Sequence, residues 1–185
     1  MRIMYILNMF RIKTNMRLFI AIQFDNEIIE SLTDFQERLR TQGVRGNYTK
    51  RENLHITLAF VGDYGNSDHV LDAMEQVEFR PMEISLDGVG CFGDLFWVGI
   101  ADNPELVGYV KRLRHSLSEN GLPYDKKKFS PHITLIRKCS YKGGHQIPVT
   151  EPPQGSMRAT CVSLMKSERG RNGMVYTEIG SVEVG

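Results

Sequence analysis

The 185-residue chain carries 23 Lys+Arg against 22 Asp+Glu, a formal net charge of +1, with 41% hydrophobic and 24% charged residues. That length and apolar content fit one domain or two small lobes with a real core. The balanced charge excludes nucleic-acid binding through bulk charge and leaves only a local basic patch for that role. The cysteines, Cys91, Cys139 and Cys161, are three in number and far apart, without a Cys-x-x-Cys pair. This argues against a disulfide framework or zinc knuckle and favours a reducing cytoplasm. No run reaches membrane-spanning length. Met1 to Asn15 is interrupted by Arg2, Asn8, Arg11 and Lys13 and lacks a signal-peptide pattern.

In chain order, Arg17 to Phe24 is predicted as a strand with Leu18, Ile20, Ile22 and Phe24 on one face. Asp25 or Asn26 caps a helix to about Gln42, with Ile28, Leu32, Phe35 and Leu39 as its buried stripe and Gly43 as its stop. Val44 to Asn53 is expected to be a polar, basic connection. Leu54 to Val61 is a strand. Asn66 or Ser67 opens a second helix with Val70, Met74 and Val77 buried. Met82 to Val89 alternates as a strand, Gly88, Gly90 and Gly93 break the chain, and Leu95 to Ile100 is a further strand. Asn103-Pro104 starts a helix with Leu106, Val110, Leu113 and Leu117 on one stripe, ended by Gly121. A loop with Lys126, Lys127 and Lys128 leads to a strand over Pro131 to Ile136. Ser140 to Gly155 is loop-rich. Met157 to Lys166 and Gly173 to Val184 form a hairpin around Asn172-Gly173.

One tetrapeptide occurs twice in this order. His55-Ile56-Thr57-Leu58 returns as His132-Ile133-Thr134-Leu135, 77 residues on, each copy in a β-rich run. Strand alternation puts His55, Thr57, Ala59 and Val61 on one face and Leu54, Ile56, Leu58 and Phe60 on an apolar face. It likewise pairs His132 with Thr134. The copies belong to a larger repeat of strand, helix and histidine strand. Ile22 precedes His55 by 33 residues and Ile100 precedes His132 by 32. Such a duplication turns the two imidazoles toward each other about a pseudo-two-fold axis. Two imidazoles titrating near neutrality suit paired proton transfer, and threonine hydroxyls suit the non-bridging oxygens of a phosphoryl group.

Paired His-x-Thr-x motifs on two pseudo-symmetric halves resemble the 2H phosphoesterases. Within them, the stretches Met16 to Ile22, Glu52 to Gly62 and Phe129 to Arg137 resemble the RNA 2′,3′-cyclic phosphodiesterases, also called 2′-5′ RNA ligases. The resemblance runs from about Met16 to the C-terminus. It implies an α+β, bilobal fold with two pseudo-symmetric sheet lobes, outer helices and a central cleft. It also implies hydrolysis of RNA 2′,3′-cyclic phosphate ends to 2′-phosphates, reversible as 2′-5′ ligation. By the same resemblance His132 is the general base and His55 the general acid, with Thr57 and Thr134 on the phosphate. No cofactor is expected. The expected partner is RNA with a cyclic phosphate end, tRNA fragments included, and the expected state is a cytoplasmic monomer away from membranes. Rival readings are a related enzyme for 2′-5′ oligonucleotides or small nucleotide cyclic phosphates, and a non-catalytic RNA-end-binding module.

Further candidates are less direct. Members of the family that the chain resembles commonly carry Arg or Lys at the position of Arg137, contacting phosphate. Simple alternation puts Arg137 opposite His132, so it reaches the cleft only if the strand ends, twists or bulges at Ile136; the rival role is an ion pair. Tyr48 is a candidate base-stacking ring or a packing residue. Lys128, with its neighbours Lys126 and Lys127, is a candidate contact to the RNA backbone or a solvated loop, and Lys50 and Arg51 are similar. Phe19, on a face with Ala21 and Gln23, is a candidate for the cleft. His69, His115 and His145 have no metal-ligand spacing, and a zinc site on His55 and His132 would want a third donor. The first fifteen residues read as a poorly ordered extension to a single domain over 16–185. Deleting Met1 to Asn15 is therefore expected to preserve soluble yield and turnover; a tenfold loss of either in the truncated protein would make the extension part of the fold.

Overall fold

The computed structural model describes residues 15–142, 147–149 and 151–183. Nearly all of the predicted extension, and His145, lie outside them. The described elements run β1 (Met16–Gln23), α1 (Asn26–Thr41), β2 (Val44–Tyr48), β3 (His55–Tyr64), α2 (Ser67–Glu75), β4 (Met82–Phe92), β5 (Leu95–Ile100), α3 (Pro104–Glu119), β6 (His132–Tyr141), β7 (Ser156–Ala159), β8 (Cys161–Gly170) and β9 (Gly173–Glu183). They form two antiparallel sheets, ordered β3-β1-β8-β9 and β2-β6-β5-β4-β7. The α+β, two-lobed architecture matches the expectation.

The helices start where the sequence places caps. The Asp25 carboxylate accepts the Ile28 N–H at 3.0 Å, and the Asn103 side chain accepts the Leu106 N–H at 2.9 Å, each satisfying an otherwise unpaired donor. Their apolar stripes bury Ile28, Leu32, Phe35 and Leu39 in α1 and Leu106, Val110, Leu113 and Leu117 in α3. Each such side chain contributes about 1.5–3 kcal/mol of transfer free energy. The helices cross over between lobes. α1 brings Phe35 to within 6.3 Å of Phe96 in β5 of the second sheet. α3 reaches the carbonyl of Leu58 in the first sheet through Arg114. One continuous core joins both lobes.

The repeat is visible in the register. Ile22 faces Ile56 and Gln23 faces His55; Val98 faces Ile133 and Gly99 faces His132. Ile22 thus corresponds to Val98, two residues from the Ile100 expected from spacing. Alternate apolar residues of a strand look alike in sequence, so spacing alone leaves a two-residue slip open.

Four strand and turn assignments change. Val44–Tyr48, read as a connection, is an edge strand on β6, with Val44 opposite Tyr141 and Tyr48 opposite Ile136. Its polar sequence suits an edge, and its pairing comes from a partner some 90 residues away. The Met157–Lys166 run divides at Thr160: β7 pairs with β4 in the second sheet, whereas β8 pairs with β1 and β9 in the first. The hairpin pairs Gly170 with Gly173, so its turn is Arg171-Asn172, one residue earlier than expected. The strand β4 continues past Gly88 and Gly90 to Phe92 and turns only at Gly93 and Asp94.

Gly46 lies in β2 where φ is +148°, and an added Cβ would meet the Ile136 Cγ2 at 2.5 Å and the Arg137 carbonyl at 2.9 Å. Gly46→Ala is expected to destabilise the protein by about 1–3 kcal/mol, as overpacking does, whereas Gly43→Ala meets no neighbour and adds only backbone strain. Urea midpoints compare the two; equal midpoints would mean that β2 does not depend on close approach to β6.

Candidate active site

Each histidine strand carries one unmatched residue just after its threonine. Ile20 pairs with Ala59 and Ala21 with Thr57, which leaves Leu58 as a bulge in β3. Phe96 pairs with Ile136 and Trp97 with Thr134, which leaves Leu135 as a bulge in β6. Such a bulge inverts the facing of the residues that follow it, in β3 as far as Val61, which is itself unmatched between Phe60 and Gly62. Leu58 and Ala59 are therefore both buried, and so are Leu135 and Ile136. Phe60, predicted for the core, is 48% exposed, and Val61, predicted beside His55, is buried. In β6 the same inversion brings Arg137 to the side of His132 and Thr134. This is the bulge that Arg137 needed, and the guanidinium group lines the cleft.

That cleft, about 1150 Å³ in volume, lies between the lobes, and His55, Thr57, His132, Thr134 and Arg137 all line it. Each imidazole is oriented from behind. His55 Nδ1 lies 2.7 Å from the Asn53 carbonyl, and His132 Nδ1 lies 2.8 Å from the Ser130 carbonyl. A carbonyl only accepts, so each Nδ1 carries a proton and each Nε2 is left for the cleft. The Thr57 hydroxyl donates to the His55 Nε2 lone pair at 2.9 Å. Asn53 and Ser130 occupy the same place, two residues before each histidine. That shared polar position is legible in sequence, and reading only the tetrapeptide misses it.

Aromatic rings flank both imidazoles. Phe19, buried at the cleft floor, lies 4.9 Å from His55, and Tyr176 meets it edge-on at 5.4 Å. Phe92 meets His132 edge-on at 5.2 Å, with Trp97 at 6.3 Å. No local signal marks Tyr176, which arrives from β9, or Phe92, at the end of β4. Apolar surroundings disfavour the imidazolium, and the nearby Arg137 and His132 add repulsion. These outweigh the Asn53 carbonyl, and the His55 pKa falls to about 4.

Tyr48 and Lys128 also line the cleft. The Tyr48 hydroxyl donates to the Val44 carbonyl at 2.9 Å, and the Arg40 guanidinium covers its ring at 4.1 Å. Of the lysine run, Lys127 and Lys128 line the cleft and Lys126 does not; Lys50 lines it, whereas Arg51 pairs with Glu30 at 3.8 Å. His69 is bonded to the Tyr64 hydroxyl at 2.9 Å, and His115 is exposed on α3. Among the described residues no group of three or more His, Cys, Asp or Glu is placed to hold a metal ion, and no helix is long and apolar enough to cross a membrane.

Comparison with known proteins gives these features a family. The model of the LigT-like phosphoesterases matches residues 22–95. The RNA 2′,3′-cyclic phosphodiesterase of Archaeoglobus fulgidus is 33% identical over 130 residues, 66% of this chain and 72% of that one. The enzyme of the same name from Escherichia coli K12 is 29% identical over 171 residues, 88% of this chain and 93% of that one. Among solved structures, E. coli LigT complexed with 3′-AMP superposes with a TM-score of 0.76 at 26% identity, covering 92% of this chain and 98% of LigT. The same protein complexed with phosphate gives 0.75. With the repeated motif, the two lobes and the facing imidazoles, these likenesses establish that the chain belongs to the LigT-like 2H phosphoesterases and is a phosphodiesterase.

Proposed function

We propose that the enzyme opens 2′,3′-cyclic phosphates at RNA ends to 2′-phosphates, without a metal, by proton transfer through His55 and His132. The observation that carries this reading is the pair of Nε2 atoms, each fixed by a carbonyl behind its ring and each turned into one cleft beside a threonine. The names of the relatives support the substrate class.

In this mechanism His132 Nε2 takes a proton from water as its oxygen attacks phosphorus. The bond from phosphorus to the 3′-oxygen breaks in line, and His55 Nε2 gives that oxygen its proton. The product is a 2′-phosphate with a free 3′-hydroxyl, and the two imidazoles exchange one proton with solvent to reset. Thr57, Thr134 and Arg137 hold the non-bridging oxygens as charge builds on them. With a 5′-hydroxyl in place of water, the same steps join RNA ends by a 2′-5′ bond, and run backwards they open that bond to the cyclic phosphate and the 5′-hydroxyl. Tyr48 stacks on a base, and Lys128 contacts the backbone. A tRNA fragment with a cyclic end, acted on by a monomeric enzyme, fits this reading. Incubation with a short RNA bearing a 2′,3′-cyclic phosphate, followed by digestion specific for 2′- or 3′-phosphates, tests it; a 3′-phosphate product reverses the regiochemistry, and no turnover defeats the reading.

His55→Ala and His132→Ala should each lower kcat by roughly a hundredfold or more, the scale of a lost acid or base. Their double variant should lose far less than the product of the two effects, because the pair acts as a unit. A substrate with sulfur in place of the 3′-oxygen needs no proton to leave, so it should restore His55→Ala and not His132→Ala. The opposite pattern would exchange the two roles. EDTA should leave the rate unchanged; loss restored by zinc or magnesium would turn the histidines into metal ligands.

The depressed pKa of His55 sets a second expectation. Below about pH 4 the free enzyme carries the imidazolium, and above it the neutral ring. An anionic phosphate in the cleft favours the charged form, so binding should raise this pKa. Titration of the His55 ring by NMR should show a value near 4 in the free protein and a clearly higher one with 2′-AMP. No upward movement would leave His55 without the proton that a general acid needs.

A further inference from the structure

The carbonyls of the two bulged residues each accept a hydrogen bond from a side chain of the opposite repeat, the Leu135 carbonyl in addition to that of the Thr49 N–H at 2.8 Å. Gln36 of α1 donates both N–H bonds of its amide, one to the Leu135 carbonyl at 3.0 Å and one to the Thr49 carbonyl at 3.0 Å. Arg114 of α3 donates Nε and Nη2 to the Leu58 carbonyl at 3.3 and 3.1 Å, and Nη1 to the Lys127 carbonyl at 2.7 Å. The two arrangements correspond. Gln36 precedes His55 by 19 residues and Arg114 precedes His132 by 18. In each case one side chain ties the residue three after one histidine to the segment that approaches the other. Thr49 leads to Asn53, whose carbonyl orients His55, and Lys127 leads to Ser130, whose carbonyl orients His132.

We propose that Gln36 and Arg114 are paired positioning residues that set the spacing and facing of the two imidazoles across the cleft. Each spans both motifs, so displacement of either histidine strand moves the backbone that holds the other ring. Gln36 is 3% exposed and is not among the residues lining the cleft, so its effect on turnover runs through the backbone it holds. Arg114 does line the cleft, but its hydrogen bonds to Leu58 and Lys127 turn it toward the protein. The two residues differ in chemistry and agree in connectivity. A buried amide with two N–H bonds serves the carbonyls of buried Leu135 and half-buried Thr49, whereas the guanidinium fork serves those of buried Leu58 and exposed Lys127. This proposal rests on the two-histidine reading of the site.

The test compares Gln36→Leu and Arg114→Lys with the full-length protein, using adenosine 2′,3′-cyclic monophosphate as substrate and imidazole 15N NMR of the free proteins. Gln36→Leu removes both donors; Arg114→Lys keeps charge and length but loses the fork. Each should lower kcat by about tenfold or more, the scale of a small misplacement of reacting groups, with KM within about twofold. In each, the resonances of both His55 and His132 should move. A folded Gln36→Leu protein with wild-type kcat, or one in which only the resonances of the nearer histidine move, overturns the proposal. A rise in KM alone for Arg114→Lys, with both imidazoles unmoved, also overturns it, by making Arg114 a substrate contact. If Gln36→Leu does not fold, Arg114→Lys decides the matter by the same readouts. A wild-type protein inactive on cyclic phosphates would defeat the proposed function, and the NMR readout would still decide on the spacing.

Discussion

One unmatched residue just after the threonine of each histidine strand governs what the cleft presents. With Leu58 and Leu135 inserted, the strands keep His and Thr on one face, drop two successive apolar side chains into the core, and then return to the cleft with a different residue. In β6 that residue is Arg137 and in β3 it is Phe60. The pseudo-symmetric scaffold thereby builds an unsymmetrical site, cationic beyond one threonine and apolar beyond the other. The Arg137 charge lies on the β6 side of the cleft, and the phenyl of Phe60 is an apolar surface on the opposite wall.

The cost of a bulge is a break in the ladder. Here the Leu58 carbonyl is satisfied by Arg114 and the Leu135 carbonyl by the Thr49 N–H and Gln36, all from the opposite repeat, and these bonds tie each helix to the other lobe. Because α1 leans on the second sheet and α3 on the first, neither lobe can shift without straining hydrogen bonds made by the other. Rigidity of this kind matters where two groups must act on one phosphorus, since small errors in placement are costly.

The two imidazoles share a tautomer and differ in setting. Both have Nδ1 on a carbonyl two residues upstream, a consequence of the motif itself. His55 is enclosed by Phe19 and Tyr176 and loses its charge readily, whereas Phe92 and Trp97 approach His132 from one hairpin. Phe19 and Trp97 come from β1 and β5, which the repeat makes equivalent, but from positions that do not correspond, whereas Tyr176 and Phe92 come from β9 and β4, outside the repeat. Divergence of the environment around a preserved pair lets one repeat unit supply two chemically distinct partners.

Much of this was legible along the chain. The duplicated tetrapeptide, the capped helices with their stripes and the strand over Leu95–Ile100 rest on local periodicity and capping, which act over a few residues and leave their mark in sequence order. The seven residues predicted for the site, from His55 and His132 to Tyr48 and Lys128, share the cleft. Facing beyond Thr57 and Thr134 was decided elsewhere. A bulge is a mismatch between two strands, so neither strand's own alternation reveals it, and Phe60 and Val61 were assigned to each other's faces. The edge strand Val44–Tyr48, the parting of β7 from β8, and the arrival of Tyr176, Gln36 and Arg114 likewise depend on partners far away in sequence. The sequence by itself determined which chemical groups the protein carries and which short elements hold them. Only the tertiary structure decided which groups meet, because pairing, bulges and hydrogen bonds to the carbonyls at the bulges are settled between elements and not within them.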